Sequence, residues 1–269
     1  MTELLVRPSS GERVLDVTPE SAGWRYVGFE VLALSSAAER DTGERELCVV
    51  VVQGTAHVRS EHGEWRDLGG RADPWAGAPD AAYLPPGTHV TIEGDAEVAL
   101  CWAPAPNGGA AARVLPGSAI EVEIRGHGVQ ERTVLPILMA GEEAESLLVV
   151  EVRTPGGHWS SYPPHKHDRD DPPRETFLEE TYYHRLARPE GFAMQRVYTD
   201  DGSLDDTLVV RDGDIVLVPR GYHTVSAPPG YALYYLNVMA GPARAWAIAN
   251  DPEHEWILNG SRNPDSLAR

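Results

Sequence analysis

The stretch SSYPPHKHD (160–168) sets His165 and His167 on either side of Lys166, the one lysine in a chain whose other 22 basic residues are arginine. In an extended segment residues i and i+2 share a face. Both imidazoles can therefore enter one pocket, with Lys166 turned to the other side as a solvated side chain near the rim. Downstream, EETYYHRL (179–186) alternates Glu180, Tyr182 and His184 against Glu179, Thr181 and Tyr183. His223 follows a Pro-x-Gly turn in VPRGYH (218–223). Three neutral imidazoles from His165, His167 and His223, with the carboxylate of Glu180, suit one borderline divalent ion: Zn²⁺, Mn²⁺, Fe²⁺ or Ni²⁺. On a five- or six-coordinate ion, such a set leaves positions for water or substrate. His184 reads as a core histidine.

Elements must bring these residues together, and the pattern supplies strands. Runs such as VGFEVLAL (27–34), ELCVVVV (46–52), GTAHVRS (54–60), HVTIEG (89–94) and EVALCWA (97–103) are rich in β-branched and aromatic residues and bounded by turn formers. The same holds for AIEVEIRG (119–126), SLLVVEVRT (146–154), FAMQRVYT (192–199), DIVLVP (214–219) and YALYYLNVMA (231–240). Long helical patterns are scarce, so antiparallel sandwiches or barrels are expected. The Pro/Gly-rich APAPNGGAAARVLPGS (103–118) reads as a linker. It divides the chain into residues 1–110 and 111–269.

The two parts look like diverged copies. LPPGTH (84–89) parallels VPRGYH (218–223), and Glu46 precedes His89 by the same interval that separates Glu180 from His223. Glu46 is thereby the expected counterpart of Glu180. The first copy has no His-x-His, so it is expected to be a scaffold without a metal site.

Bulk properties narrow the function. The net charge of −18, from 41 acidic and 23 basic residues, disfavours nucleic acid and anionic membranes as partners. An anionic substrate would need a local arginine or a metal. Cys48 and Cys101 lie in apolar runs and read as buried free thiols. MTELLVRPSSGER lacks the apolar core of a signal peptide, and no segment approaches 18 uninterrupted apolar residues. The cytoplasm is the expected compartment.

The ligand spacing is similar to the cupin motif pair, His-x-His with Glu and then Pro-x-Gly-x-His. At greater length, WSSYPPHKHD (159–168), LEETYYHR (178–185), DGDIVLVPRGYH (212–223) and GYALYYLNVMAGP (230–242) resemble the bicupin family of 5-deoxy-glucuronate and 4-deoxy-5-keto-uronate isomerases. WRYVGFEVLAL and GAPDAAYLPPGTHV extend the likeness over the first copy. The resemblance implies an all-β bicupin of two double-stranded β-helix (jelly-roll) barrels. It implies a divalent ion held by His165, His167, Glu180 and His223. It also implies conversion of 5-deoxy-D-glucuronate, an anionic sugar acid, to 2-deoxy-5-keto-D-gluconate. One departure is Thr224, where the family pattern leads one to expect proline after Gly-Tyr-His. Cupins often pair through barrel edges, so a homodimer or larger homo-oligomer is expected.

Aldose–ketose isomerisation moves hydrogen between C1 and C2 of the open-chain sugar. Tyr182, Glu175 and a bound water are the candidates for the acid/base shuttle. Arg196 and Arg220 are candidates for the substrate carboxylate, because a guanidinium offers a bidentate fork. Tyr235 and Asn237 share a face of the 231–240 run and are expected to line the pocket. Two competing readings keep the same residues: an Fe-dependent cupin dioxygenase and a non-catalytic sugar-binding bicupin.

Overall fold

A computed structural model describes residues 3–11 and 13–259. The first half runs β1 (Leu5–Val6), β2 (Arg13–Val17), a one-turn helix α1 (Pro19–Ala22), β3 (Gly28–Ala33), β4 (Ala38–Asp41), β5 (Arg45–Ser60), β6 (Gly63–Arg71), β7 (Ala81–Leu84), β8 (His89–Pro104) and β9 (Arg113–Leu115). The second runs β10 (Glu123–Arg125), β11 (Arg132–Leu138), β12 (Leu148–Thr154), β13 (Trp159–Lys166), β14 (Glu179–Leu186), β15 (Ala193–Tyr198), β16 (Asp205–Val210), β17 (Ile215–Val218), β18 (Tyr222–Ser226), β19 (Leu233–Ala240) and β20 (Ala249–Asn250).

All pairing between these strands is antiparallel. In the second half a seven-stranded sheet, β1-β17-β14-β19-β12-β11-β10, accompanies a five-stranded sheet, β16-β15-β18-β13-β20. The first half is one eight-stranded sheet ordered β2-β3-β8-β5-β7-β9, with β4 on β8 and β6 on β5. Strand pairing does not change hands at residue 110. β9 pairs with β7, so part of the expected linker belongs to the first sheet. β1 pairs with β17, so the start of the chain belongs to the second.

Continuous apolar runs arise because several strands are buried on both faces. In β5, Leu47, Val49 and Val51 pack inside the first half, whereas Cys48, Val50 and Val52 join a core shared with Tyr183, Leu236 and Val238 of the second. In β14, Tyr183 faces that shared core and Tyr182 faces the interior of the second half. Cys48 and Cys101 are directly opposed on β5 and β8, buried and free.

Two expected strand breaks are bends. The runs 46–52 and 54–60 form the single strand β5, and 89–94 with 97–103 form β8. Gly54 (φ +79°) and Gly94 (φ +138°) sit where the two strands nearly touch: an added Cβ would lie 2.2 Å from the Asp95 carbonyl oxygen and 2.3 Å from that of Thr55, respectively. These glycines permit close backbone approach rather than chain reversal.

Register also corrects the internal alignment. Leu84 pairs with Leu47, and Val218 pairs with Glu180. With LPPGTH laid on VPRGYH, the counterpart of Glu180 is therefore Leu47, and Glu46 corresponds to Glu179. The equal Glu–His interval conceals a one-residue length difference between the copies. The displaced pair has its own function. Glu46 accepts from the backbone N–H groups of Glu145, Ser146 and Leu147 (2.9, 2.6 and 2.6 Å), just ahead of β12. Glu179 accepts from those of Arg25, Tyr26 and Val27 (2.7, 2.7 and 3.1 Å), just ahead of β3. Each half thus caps the incoming backbone of the other with a buried carboxylate.

Candidate metal centre and active-site cavity

His165 on β13 is the direct partner of His223 on β18, and His167 lies just past the end of β13. The ring centroids are 4.6 Å (His165–His223), 5.0 Å (His167–His223) and 6.1 Å (His165–His167) apart. One nitrogen from each ring lies within 4.8 Å of the other two, and among the described residues no other His, Cys, Asp and Glu cluster has this arrangement. Glu180 enters from β14 in the facing sheet, placed there by its pairing with Val218 and Met239.

Hydrogen bonds fix which ring nitrogens can coordinate. His167 Nδ1 lies 3.0 Å from the Leu178 carbonyl, and His223 Nδ1 lies 3.1 Å from the Gly221 carbonyl. A carbonyl only accepts, so Nδ1 carries the proton and Nε2 of each neutral ring offers a lone pair. Both Nε2 atoms face Glu180 Oε2, at 3.0 and 3.1 Å. Two lone pairs facing a carboxylate oxygen need a cation or a shared proton between them. His223 Nε2 is buried and makes no hydrogen bond of acceptable geometry in spite of its 3.1 Å approach. Atoms held about 2.1 Å from a single ion lie about 3 Å from one another. The donor set fits a borderline divalent metal.

The electrostatics agree. Burial, then the charges of His223 and His167, hold His165 well below the ordinary histidine range, which keeps it neutral. Burial also pushes His167 down, but the hydrogen bond and charge of Glu180 outweigh it and the net shift is upward. Burial raises Glu180, yet hydrogen bonds and charges from His167 and His223 bring it to about 2. Glu180 is thus held as the carboxylate and His165 as the neutral ring, and the opposite shifts of His167 and Glu180 mark a favourable contact between them.

This cluster opens into a cavity of about 970 Å³, at the upper end of small-molecule sites. His165, Glu180, Tyr182, Tyr235 and Asn237 line it, as the alternation predicts. The Tyr182 hydroxyl lies 3.0 Å from Ser161 Oγ, and burial, then the charge of Glu180, push its pKa well up. The Asn237 amide donates to the Thr181 carbonyl at 3.3 Å. His184 is buried, with Nε2 2.9 Å from Gln195 Oε1, and is a core histidine beneath Tyr182.

Three expected site residues lie elsewhere. Glu175 accepts from the backbone N–H groups of Asp168 and Arg169 (2.7 and 3.0 Å) and braces the loop after His167. Arg196 forms a two-pronged pair with Asp205 (2.8 and 2.9 Å) and lies over Tyr198, away from the main cavity. Arg220 is exposed and donates to Ser203 Oγ at 3.1 Å. Lys166 does leave the histidines, but it is 4% exposed rather than solvated. It pairs with Asp200 and Asp168 and lies over Tyr222. Acidic loop side chains converge on the lysine and replace solvent.

Sequence reasoning missed Arg132. It begins β11, whose interior Pro136 hides the strand pattern, and it lines the cavity with Val134 and Pro136. Its alternation with Val134 was the available signal. In the first half, Leu47 occupies the position of Glu180, and His89 is exposed with Nδ1 2.8 Å from Asp41.

Comparison with known proteins bears on both fold and chemistry. Residues 4–257 match the KduI/IolB family. The 5-deoxy-glucuronate isomerase of Geobacillus thermodenitrificans is 50% identical over 93% of each chain, and that of Bacillus subtilis is 44% identical over 96% of this chain and 99% of its own. A crystal structure of an IolB-like protein from Salmonella typhimurium superposes with a TM-score of 0.92 at 42% identity, covering 95% of this chain and 99% of that one. Oxalate decarboxylase from Lactobacillus farciminis, at 12% identity and a TM-score of 0.63 over 100% of this chain and 96% of its own, shares the bicupin fold alone. This all-β bicupin, matched from near its first strand to its last helical turn, belongs to the KduI/IolB family.

Proposed function

We propose that the chain is a metal-dependent aldose–ketose isomerase that converts 5-deoxy-D-glucuronate to 2-deoxy-5-keto-D-gluconate in inositol catabolism, in the cytoplasm. The observation that carries the metal assignment is the meeting of three imidazole nitrogens within 4.8 Å of one another, with Glu180 Oε2 3.0 and 3.1 Å from Nε2 of His167 and His223. The substrate assignment rests on relatives named 5-deoxy-glucuronate isomerase at 44–51% identity.

His165, His167, His223 and Glu180 would hold one divalent ion of the Zn, Mn, Fe or Ni kind. The ion would supply a Lewis acid for the oxygens on C1 and C2 of the open-chain sugar. The protein's own groups do the rest. The Leu178 and Gly221 carbonyls orient His167 and His223. Tyr182 keeps its proton, because burial raises its pKa, and so can donate to a substrate oxygen next to the metal centre. With Ser161 Oγ donating to the Tyr182 oxygen across 3.0 Å, the phenol proton is left for the substrate. Asn237 and Tyr235 bound the pocket, and the apolar side chains Val134, Val150, Val152 and Met239 help exclude water from it. The first half acts as a scaffold: it holds Glu179, the residue before Glu180, through the N–H groups of residues 25–27.

The test is elemental analysis of the purified protein followed by an NMR assay with 5-deoxy-D-glucuronate. We expect one equivalent of divalent metal and formation of the ketose, both lost in His165→Ala/His167→Ala. Full activity in the metal-free double variant would overturn the proposal. Oxygen uptake with a catechol or thiol, and no turnover of the uronate, would return the dioxygenase reading.

A further inference from the structure

The cavity wall carries two arginines side by side. Arg125 on β10 and Arg132 on β11 are direct cross-strand partners, and both line the cavity. Like charges placed opposite one another in a sheet repel and are destabilising unless something neutralises them. Arg125 is neutralised: its Nε lies 2.7 Å from Glu123 Oε2, and its guanidinium covers the Trp246 ring at 5.2 Å. Arg132 has no such partner. Among the described residues its one hydrogen bond is to the Gln130 carbonyl, at 3.2 Å, and no described carboxylate forms an ion pair with it. Of the other acids lining the cavity, Glu142 pairs with Arg113, Glu180 faces the histidines, and Glu121 makes no ion pair with Arg132.

An unmatched guanidinium is conspicuous in a protein of net charge −18. Here it is half-buried, and burial together with the charge of Arg125 disfavours its charged form. Its field reaches the metal end of the cavity, for it bears on His165, and Tyr182 and Tyr235 bear on it in turn. A sugar acid with its C1–C2 end at the histidine cluster must place its carboxylate away from that cluster, within the same cavity. A planar two-pronged donor is the group that best matches a carboxylate.

We propose that Arg132 is the residue that anchors the substrate carboxylate and thereby sets the preference for uronates over neutral aldoses. This rests on the isomerase reading above. Arg132 acts in binding and orientation and takes no part in proton movement. Arg125, already matched by Glu123, tunes it by repulsion, so one positive charge of the pair is left for a substrate carboxylate.

The test compares two substrates, 5-deoxy-D-glucuronate and its neutral twin 5-deoxy-D-glucose, in wild type, Arg132→Gln and Arg132→Lys, each with metal content measured. A hydrogen-bonded charge pair of this kind is worth roughly 10- to 100-fold in binding. In Arg132→Gln we expect KM for the uronate to rise by that factor with metal content unchanged, while the neutral sugar changes less than about threefold. The uronate preference then collapses. Arg132→Lys keeps the charge without the fork and is expected to be intermediate; it decides the matter if the Gln variant does not fold. A uronate-to-neutral preference that stays at the wild-type value in metal-replete Arg132 variants overturns this inference alone. Wild type that fails to isomerise the uronate at all overturns the isomerase reading and this inference with it.

Discussion

Glu46 and Glu179 offer a prediction whose size can be worked from the structure. Each carboxylate is buried and accepts three backbone N–H groups of the opposite half, and Glu46 also accepts from the Tyr83 hydroxyl at 2.5 Å. Replacing either by alanine leaves three donors without an acceptor. Each buried donor so stranded costs about 1–3 kcal/mol. With partial relief from entering water, the loss should come to about 3–6 kcal/mol per site. In a chain this long each kcal/mol lowers Tm by about 2–4 °C, so Glu46→Ala and Glu179→Ala should each melt about 6–24 °C below wild type. The two should part company at the metal. Glu179 is bonded to Glu180, so its anchorage sets where that carboxylate sits. Loss of such support typically weakens metal binding about 10- to 100-fold. Glu179→Ala should therefore bind Zn²⁺ at least about tenfold more weakly by competition with a chelating dye, and Glu46→Ala within about twofold of wild type. A Glu46→Ala protein that melts within 2 °C of wild type would refute the reciprocal-cap reasoning. Equal losses of metal affinity in the two variants would refute the link from Glu179 to the site.

Other outcomes follow from single groups. Tyr182→Phe should lower kcat by about 100-fold or more while metal content and KM hold, measured by the NMR assay on metal-replete protein. His184 is buried with its pKa lowered to about 4, by burial against a smaller upward pull from Gln195. Its folded pKa is below the unfolded value of 6.5, so the unfolded chain binds the extra proton first and stability falls as pH drops from about 6.5 towards 4, by about 2 kcal/mol at pH 5. Urea titrations at pH 7 and 5 should show that increment in wild type and not in His184→Gln. Arg196→Ala and Arg220→Ala should leave kcat/KM within about twofold, because one is committed to Asp205 outside the main cavity and the other is exposed beside Ser203.

The sequence by itself picked out the residues proposed as ligands. His165 and His167 are two apart in an extended run, Glu180 is placed by strict alternation in EETYYHRL, and His223 is tied to its turn by three residues of local chain. Strand alternation is a local geometric rule, and it carried over to Tyr182, Tyr235 and Asn237 as well. Tertiary structure decided whatever depends on register between strands or on what a loop folds against. Cross-strand pairing put Leu47, not Glu46, opposite Leu84, and so made Glu46 a clamp on the other half where the counterpart of Glu180 had been expected. It also set Arg132 beside Arg125 in the cavity and took Arg196 out of it. Lys166 is solvated by every local rule, but Asp168 and Asp200 close over it from loops 2 and 34 residues away. A one-residue slip changes which face a side chain occupies, and no count along the chain can supply that register.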